Sequence, residues 1–105
     1  MKNKEQNSAI TKMQKNAKKA ESMLKLLANS KRLMILCHLI KTEKSVGELS
    51  DLVGLSQSAL SQHLSKMKLQ GLVESDKRGQ MVYYSINNHE VEAILSTLYL
   101  IYCKD

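Results

Sequence analysis

Apolar residues recur at spacings of three and four over most of the chain, which is the period of helices with one buried face. The pattern predicts a long first helix over residues 9–28, preceded by a polar segment, 1–8, that we expect to be disordered. A second helix is predicted over 31–41 and a last one over 88–103. Helices therefore account for most of the predicted structure.

Residues 45–70 contain two short helical patterns separated by a tight turn. Ser45 and Glu48 form a capping-box pattern that opens the first helix, and Gly54 is placed to end it in a left-handed conformation. Ser56 can cap the next helix, because its hydroxyl can accept a hydrogen bond from an unpaired amide of the first turn. Helix, glycine-containing turn and helix together predict a helix-turn-helix, whose second helix enters the major groove of DNA.

The period of the pattern changes after Gly71. Residues 72–75 form a short extended run, 76–80 a polar turn, and 81–86 a β-branched and aromatic strand. Together they predict a hairpin over 72–86, which after a helix-turn-helix is the wing of a winged helix-turn-helix. The predicted fold is mainly α with a small β-hairpin, in the order four helices, hairpin and final helix.

Helix ends and inner faces follow from the same pattern. Ser30 is expected to cap the second helix, and Asn87 the last one, with Glu90 completing a capping-box-like pair. The inner face of the helix that Ser45 opens is predicted to bury Leu49, Leu52 and Val53. The inner face of the helix that Ser56 opens is predicted to bury Leu60, Leu64 and Met67.

A length of 105 residues corresponds to one domain, and 43% hydrophobic with 25% charged residues is typical of a globular chain. The chain has no proline and four glycines, which favours helices with few breaks. No apolar run approaches the roughly 18 residues of a membrane span, and no signal-peptide core follows the basic N-terminus. We therefore expect a cytoplasmic protein with no membrane partner.

The net charge of +6 suits an anionic partner such as nucleic acid. Residues 1–32 contain nine Lys or Arg and two Glu, whereas the remainder is close to neutral. Within that remainder, residues 52–73 contain Lys66 and Lys68 and no acidic side chain. An anion could approach this part of the surface without meeting a negative charge.

The outer face of the helix after Ser56 carries hydroxyls and amides, where a solvated helix usually carries Lys and Glu. Such groups pair with the edges of bases, and their small size lets a helix lie deep in the major groove. The side chains predicted to read bases are Gln57, Ser58, Ser61 and Gln62. The cations predicted to hold phosphates are Lys66, Lys77 and Arg78, the last two in the hairpin turn. The alternatives are an ordinary amphipathic helix and a turn that merely happens to be basic.

The last helix has a wide apolar face over barely four turns, and one small domain has little with which to cover it. This face consists of Val91, Ile94, Leu95, Leu98, Ile101 and Tyr102. We infer that the first and last helices, 9–28 and 88–103, pair across a two-fold axis. The resulting homodimer presents two recognition helices, as a pseudo-palindromic double-stranded operator requires.

Residues 24–86 resemble the ArsR/SmtB family of winged-helix repressors. The matching segments include Leu-Ser-Gln-Ser-Ala-Leu-Ser-Gln-His-Leu, Gly-Leu-Val and Val-Tyr-Tyr-Ser-Ile. Within the family the chain looks most similar to the branch that contains HlyU, BigR and SqrR, because of Cys37 in the second helix and Cys103 at the end of the last. The resemblance implies a dimeric, operator-binding regulator, in most cases a repressor, whose DNA affinity changes when an inducer is sensed.

The branch resemblance further implies that Cys37 and Cys103 form a redox switch that lowers DNA affinity when oxidised. Hydrogen-sulfide-derived persulfides are the favoured inducer, with peroxide or disulfide stress second. Cys37 is expected to be the first nucleophile, because the helix dipole disfavours a thiolate at Cys103. In the alternative, both cysteines are small buried hydrophobes, as is usual for thiols in a reducing compartment.

No metal or cofactor site is evident, and no enzymatic motif. The helix over 45–53 lacks the Cys-x-Cys of arsenite and cadmium sensors, and His89 has no paired ligand three turns away. His38 and His63 are expected to be structural, each beside apolar neighbours. The remaining alternatives are a regulator that senses a metal or another ligand, a HlyU-like anti-repressor, and a winged helix that binds another protein.

Overall fold

The computed structural model describes residues 4–103, with side chains from residue 8 onward. Within this range the chain forms five helices and a three-stranded antiparallel sheet, which confirms the predicted winged helix-turn-helix. In chain order the elements are α1 (Lys4–Leu27), α2 (Ser30–Cys37), β1 (Lys44–Ser45), α3 (Val46–Val53), α4 (Gln57–Leu69), β2 (Val73–Arg78), β3 (Met81–Ile86) and α5 (His89–Tyr102).

One hydrophobic core joins α2, α3, α4, the sheet and α5. The three residues predicted as the inner face of α4 are fully buried, at 0% exposure each. They pack in one cluster with side chains from the other elements, among them Leu36, Leu49, Leu72, Val91 and Leu95. The core therefore holds α4 by one face and leaves its opposite face in solvent.

Helix α1 extends further than predicted and contributes only its last turns to the core. It begins at Lys4, so the expectation of disorder is wrong for residues 4–8, which contain good helix formers and neither glycine nor proline. Residues 1–3 lie outside the described residues. Every residue from 8 to 22 is exposed, whereas Leu27 is buried. Most of α1 thus projects from the rest of the chain.

The cap and the end of α2 differ from the prediction. Asn29, not Ser30, is the N-cap, and its Oδ1 accepts a 3.1 Å hydrogen bond from the amide of Arg32. The helix ends at Cys37, four residues before the predicted end. It cannot continue to Lys41, because that residue has a left-handed backbone with φ of 56°.

The sheet has a strand that the sequence pattern did not predict. Lys44 and Ser45 pair with Tyr84 and Tyr83, so β3 is the central strand. A two-residue strand has no periodicity of its own. These two residues form a strand because they pair with β3.

The hairpin turn is shorter than predicted. Strand β2 pairs with β3 from Val73 opposite Ile86 to Arg78 opposite Met81. Two residues connect the strands, and Gly79 has the positive φ, 63°, that a tight turn requires. Residues 76–78 therefore belong to β2, and the predicted five-residue turn is wrong.

Two further predictions are corrected at helix faces. Asn88, not Asn87, caps α5, and its Oδ1 accepts a 3.1 Å bond from the amide of Val91. In α3, Leu49 and Val53 are buried one turn apart, but Leu52 is 49% exposed. A helix of eight residues offers the core a narrow stripe, and Leu52 lies beside it.

Candidate DNA interface and thiol cavity

The N-terminus of α4 is fixed by Ser56, whose hydroxyl accepts a 3.1 Å hydrogen bond from the amide of Ala59. This confirms the predicted cap. The side chains predicted to read bases, Gln57, Ser58, Ser61 and Gln62, are all exposed, as is Ser65. Since the opposite face is locked in the core, these groups form one continuous polar surface on a rigid helix.

Helix α3, which precedes that surface, has the predicted cap at each end. The amide of Ser45 donates a 3.0 Å bond to Glu48 Oε1, and the amide of Glu48 donates a 3.2 Å bond to Ser45 Oγ. The pKa of the Glu48 carboxyl is lowered below its usual value, first by the hydrogen bond from the Ser45 amide and then by hydrogen bonding from the Ser45 hydroxyl. Gly54 ends the helix with φ of 71°, and its amide donates a 3.0 Å bond to the Ser50 carbonyl.

The turn between α3 and α4 is closely packed. The hydroxyl of Ser50 donates a 2.5 Å bond to the carbonyl of Leu55, a half-buried residue. A methyl group added to Gly47 would lie 3.8 Å from Nε2 of Gln57, so the Gln57 amide rests beside the first turn of α3. The first polar side chain of α4 thus lies next to α3.

Two of the predicted phosphate-binding cations are free to meet an anion. Lys66 on α4 and Lys77 on β2 are exposed, and neither forms an ion pair with another described residue. The neighbouring Lys68 is engaged, since its ammonium donates a 2.7 Å bond to Ser75 Oγ on β2. Lys68 therefore joins the last turn of α4 to the wing, defined here as residues 73–86.

Arg78, the third predicted cation, is held by two carboxylates. Its Nη1 and Nη2 donate to the two carboxylate oxygens of Glu43, at 2.5 and 2.8 Å, and its Nε donates to Asp76 Oδ2 at 2.9 Å. The guanidinium carbon lies 4.7 Å from the centroid of the Tyr83 ring. Hydrogen bonds to Glu43 first, then to Asp76, raise the pKa of Arg78. Because Glu43 lies in a polar loop 35 positions away, the sequence pattern contains no signal of this arrangement.

Cys37 and Cys103 line the same cavity between α2 and α5. The cavity has a volume of about 530 Å³, and its walls are Leu33, Met34, Cys37, His38, Leu98, Tyr99, Tyr102 and Cys103. Both cysteines are free thiols, with Cys37 half-buried and Cys103 exposed. Burial first, then the nearby charge of Cys103, raises the pKa of Cys37. A raised pKa lowers the thiolate fraction of Cys37, which counts against the expectation that Cys37 is the first nucleophile.

The long α1 and the end of α5 expose apolar side chains that the described chain does not cover. The most exposed are Met13 and Leu24 on α1, at 71% and 58%, and Ile101 and Tyr102 on α5, at 63% and 79%. Exposed patches of this kind typically mark an interface. They lie on the two helices predicted to form a dimer.

The described residues contain neither a metal-binding cluster nor a membrane-spanning helix. No group of three or more His, Cys, Asp or Glu side chains in this part of the chain could hold a metal ion. His38 and His63 are half-buried and His89 is exposed. None of the helices between residues 4 and 103 has the length and apolar character needed to cross a membrane.

The family model for bacterial regulatory proteins of the arsR family matches residues 29–75, from the α2 cap into the wing. The transcriptional activator HlyU of Vibrio cholerae is 47% identical over 95 residues, which cover 90% of this chain and 88% of that protein. The chain belongs to the ArsR family. It is a DNA-binding transcriptional regulator, and its relatives are regulators and not enzymes.

Solved structures of family members agree with the fold along nearly the whole chain. Reduced HlyU from Vibrio cholerae superposes with a TM-score of 0.83 at 48% identity, covering 89% of this chain and 98% of that one. The transcriptional repressor BigR of Xylella fastidiosa gives a TM-score of 0.80 at 33% identity, covering 90% and 97%. The similarity therefore extends into α1 and α5, both of which lie outside the residues that the family model matches.

Proposed function

We propose that this ArsR-family regulator binds a pseudo-palindromic operator as a homodimer and represses until a sulfur link joins Cys37 to Cys103. The observation that carries the proposal is the shared cavity, which brings two thiols distant in sequence to one place between α2 and α5. The Cys103 charge also contributes to the raised pKa of Cys37, which supports proximity of the two sulfur atoms.

The DNA interface follows from the free surface of α4. Gln57, Ser58, Ser61 and Gln62 read base edges, while Lys66 and Lys77 hold phosphates. What supports these roles is that all six side chains are exposed and that the two cations have no ion-pair partner among the described residues. Arg78 is not included among the phosphate ligands, because Glu43 and Asp76 already bind it.

The homodimer is supported by the uncovered apolar side chains of α1 and α5. Burying them against a second copy removes apolar area from water, worth about 25 cal/mol per Å² before the costs of association. A dimer also places two α4 helices on one face of DNA, separated by about one helical turn of the duplex.

The chemistry of the link balances for either inducer. With hydrogen peroxide, two thiols lose two electrons and two protons, a sulfur–sulfur bond forms, and the peroxide is reduced to two waters. With a persulfide, one thiolate takes the terminal sulfur and releases the carrier thiol. The second thiol then attacks the protein persulfide, a disulfide forms and hydrogen sulfide leaves. Exposed Cys103 is the side chain that a reagent meets first.

The link would act on DNA binding through α5. Cys103 is the C-cap of α5 and Cys37 the last residue of α2, so a bond between them pulls the end of α5 towards α2. Because α5 also carries the exposed dimer surface, this movement changes the angle between the two subunits. The α4 helices then no longer match the spacing of the two half-sites.

Intact-mass and peptide mass spectrometry, combined with operator binding, test the proposal. The operator is obtained by selection from random duplexes, and the protein is treated with equimolar peroxide or glutathione persulfide. We expect an intrachain link between Cys37 and Cys103, at least tenfold weaker binding, and recovery with a thiol reductant.

The single variants Cys37→Ser and Cys103→Ser are the matched controls, since each retains one thiol. Both should bind the operator when reduced and keep that affinity after treatment. Linked protein that binds DNA as tightly as reduced protein would exclude the switch, as would induction that persists in Cys37→Ser.

A further inference from the structure

Residues 41–43, the second half of the connection between α2 and β1, are held at both ends, and we call them the strap. At its start, the amide of Lys41 donates a 2.7 Å hydrogen bond to Glu92 Oε1 on α5. Lys41 has a φ of 56°, a left-handed conformation that a residue with a side chain adopts at a cost. The carboxylate of Glu92 accepts the bond that the amide of this strained residue donates, and it fixes the strap to α5.

At its other end, the strap holds the wing. Glu43 takes both terminal nitrogens of Arg78 in a two-pronged ion pair, which is the strongest geometry for these groups. The remaining nitrogen of the guanidinium is bound to Asp76, and the group lies over the Tyr83 ring. All three nitrogens of Arg78 are therefore engaged within the protein.

We propose that Arg78 is a positioning residue that fixes the wing to the strap, and that Lys77 is the wing cation that meets phosphate. A phosphate at Arg78 would compete with the two carboxylates of Glu43 and Asp76, whose combined charge exceeds that of one phosphodiester group. Lys77 and Arg78 are neighbours in β2, so their side chains lie on opposite faces of the hairpin. Lys77 shares its face with Ser75, to which Lys68 of α4 is bound, and this is the face nearer the recognition helix.

The strap extends this role to α5. Glu92 belongs to the first turns of the helix that ends at Cys103, so the wing is connected to α5 through Lys41, Glu43 and Arg78. The position of the wing therefore depends on the position of α5. The proposal rests on the proposed binding of DNA by the wing, but it does not rest on the cysteine link. It is therefore tested on fully reduced protein.

The first experiment separates phosphate binding from positioning by salt dependence. Removing one cation that binds a phosphate lowers the slope of log affinity against log salt by about 0.9. Lys77→Ala removes one such cation from each subunit of the proposed dimer and should therefore lower the slope by about 1.8, twice that amount. Arg78→Ala should weaken operator binding about fivefold, the upper range for an exposed ion pair, with the slope unchanged. A slope reduced in Arg78→Ala, or an unchanged affinity, overturns the proposal.

The second experiment uses the partner carboxylate. Glu43→Gln removes a negative charge near DNA, which by itself would strengthen binding, yet positioning predicts weaker binding, again about fivefold. Glu74→Gln is the matched control, because Glu74 is an exposed acid of the same sheet with no bond to another described side chain. The double variant of Glu43 and Arg78 should bind no more weakly than either single variant. If Glu43→Gln binds as tightly as Glu74→Gln, the proposal fails.

The third experiment tests the anchor on α5 by hydrogen exchange. Glu92→Ala should speed amide exchange across residues 73–86, although these lie in a different element. Glu90→Ala is its control, since Glu90 is an exposed acid in the first turn of the same helix. Circular dichroism verifies that both variants are folded. Equal wing exchange in the two variants would show that the wing is not linked to α5, whatever the cysteines do.

Discussion

Cys37 and Cys103 face one cavity from different helices and differ in exposure: Cys37 is half-buried at the end of α2, and Cys103 is exposed after α5. The cavity walls are largely apolar, with His38 and the two Tyr side chains as the polar groups among them. In such surroundings a thiol at the wall stays protonated more readily than a thiol in water. The two cysteines should therefore differ in reactivity.

The first prediction concerns alkylation of the reduced protein. A limiting amount of iodoacetamide should modify Cys103 before Cys37, because Cys103 is exposed and burial raises the pKa of Cys37. In Cys103→Ser the charge of Cys103, the smaller cause of the raised pKa, is absent, so Cys37 should react faster at the same pH. It should still react more slowly than in urea-unfolded protein, because burial remains. Peptide mass spectrometry measures both rates. Faster labelling of Cys37 than Cys103 would contradict the proposal that a reagent meets Cys103 first.

The second prediction concerns the capping box of α3. Ser45→Ala should lower the free energy of unfolding by about 1 kcal/mol, the usual loss for a removed N-cap. Glu48→Gln should cost less at neutral pH, because a glutamine oxygen can still accept the bond from the Ser45 amide. Urea unfolding followed by circular dichroism measures both. A Ser45→Ala variant as stable as the parent would mean that the bond from the Glu48 amide to the Ser45 hydroxyl contributes nothing to stability.

The third prediction concerns the pH dependence of the same carboxylate. The folded state lowers the pKa of Glu48, so in acid the unfolded chain binds the extra proton. The resulting stability is present above the unfolded pKa, near 4.5, and is lost as pH falls through the lower folded value. The difference in unfolding free energy between the parent and Glu48→Gln should therefore shrink below this pH. A difference in unfolding free energy that did not change below this pH would show that the carboxylate charge does not contribute to stability.

The fourth prediction separates base reading from phosphate binding. Gln62→Ala and Ser61→Ala should each lose about 1–3 kcal/mol at one base pair of each half-site and relax the preference there. Lys66→Ala should weaken binding to all sequences alike and reduce the salt dependence. Selection from random duplexes followed by titration measures both effects. Unchanged affinity and preference in both α4 variants would mean that this face does not read DNA.

The fifth prediction concerns the dimer. Ile101→Glu places a charge in the exposed apolar end of α5 and should convert the protein to monomers at micromolar concentration, as measured by sedimentation equilibrium. Leu52→Glu is the matched control, because Leu52 is also an exposed aliphatic side chain but lies on α3. It should leave the dimer intact. A parent protein that sediments as a monomer would exclude the proposed assembly.

Local features were determined by the sequence alone. The capping box of Ser45 and Glu48, the glycine C-cap and the Ser56 cap each depend on residues within three or four positions of one another, where helix geometry leaves few choices. The buried face of α4 follows from the same periodicity. The predicted caps of α2 and α5 differ from the observed caps by one residue. Each site has two adjacent residues that can form a cap, and the packing of the helix in the fold selects between them.

Tertiary structure decided everything that joins distant positions. The pairing of Glu43 with Arg78, the Lys41 bond to Glu92, and the cavity shared by the two cysteines all depend on how helices and strands pack. Pattern along the chain reports which face of an element is apolar, but not which polar side chain of another element will come within about 3 Å of it. For this reason the sequence identified Arg78 as a cation of the wing, and only the fold showed that two carboxylates hold it.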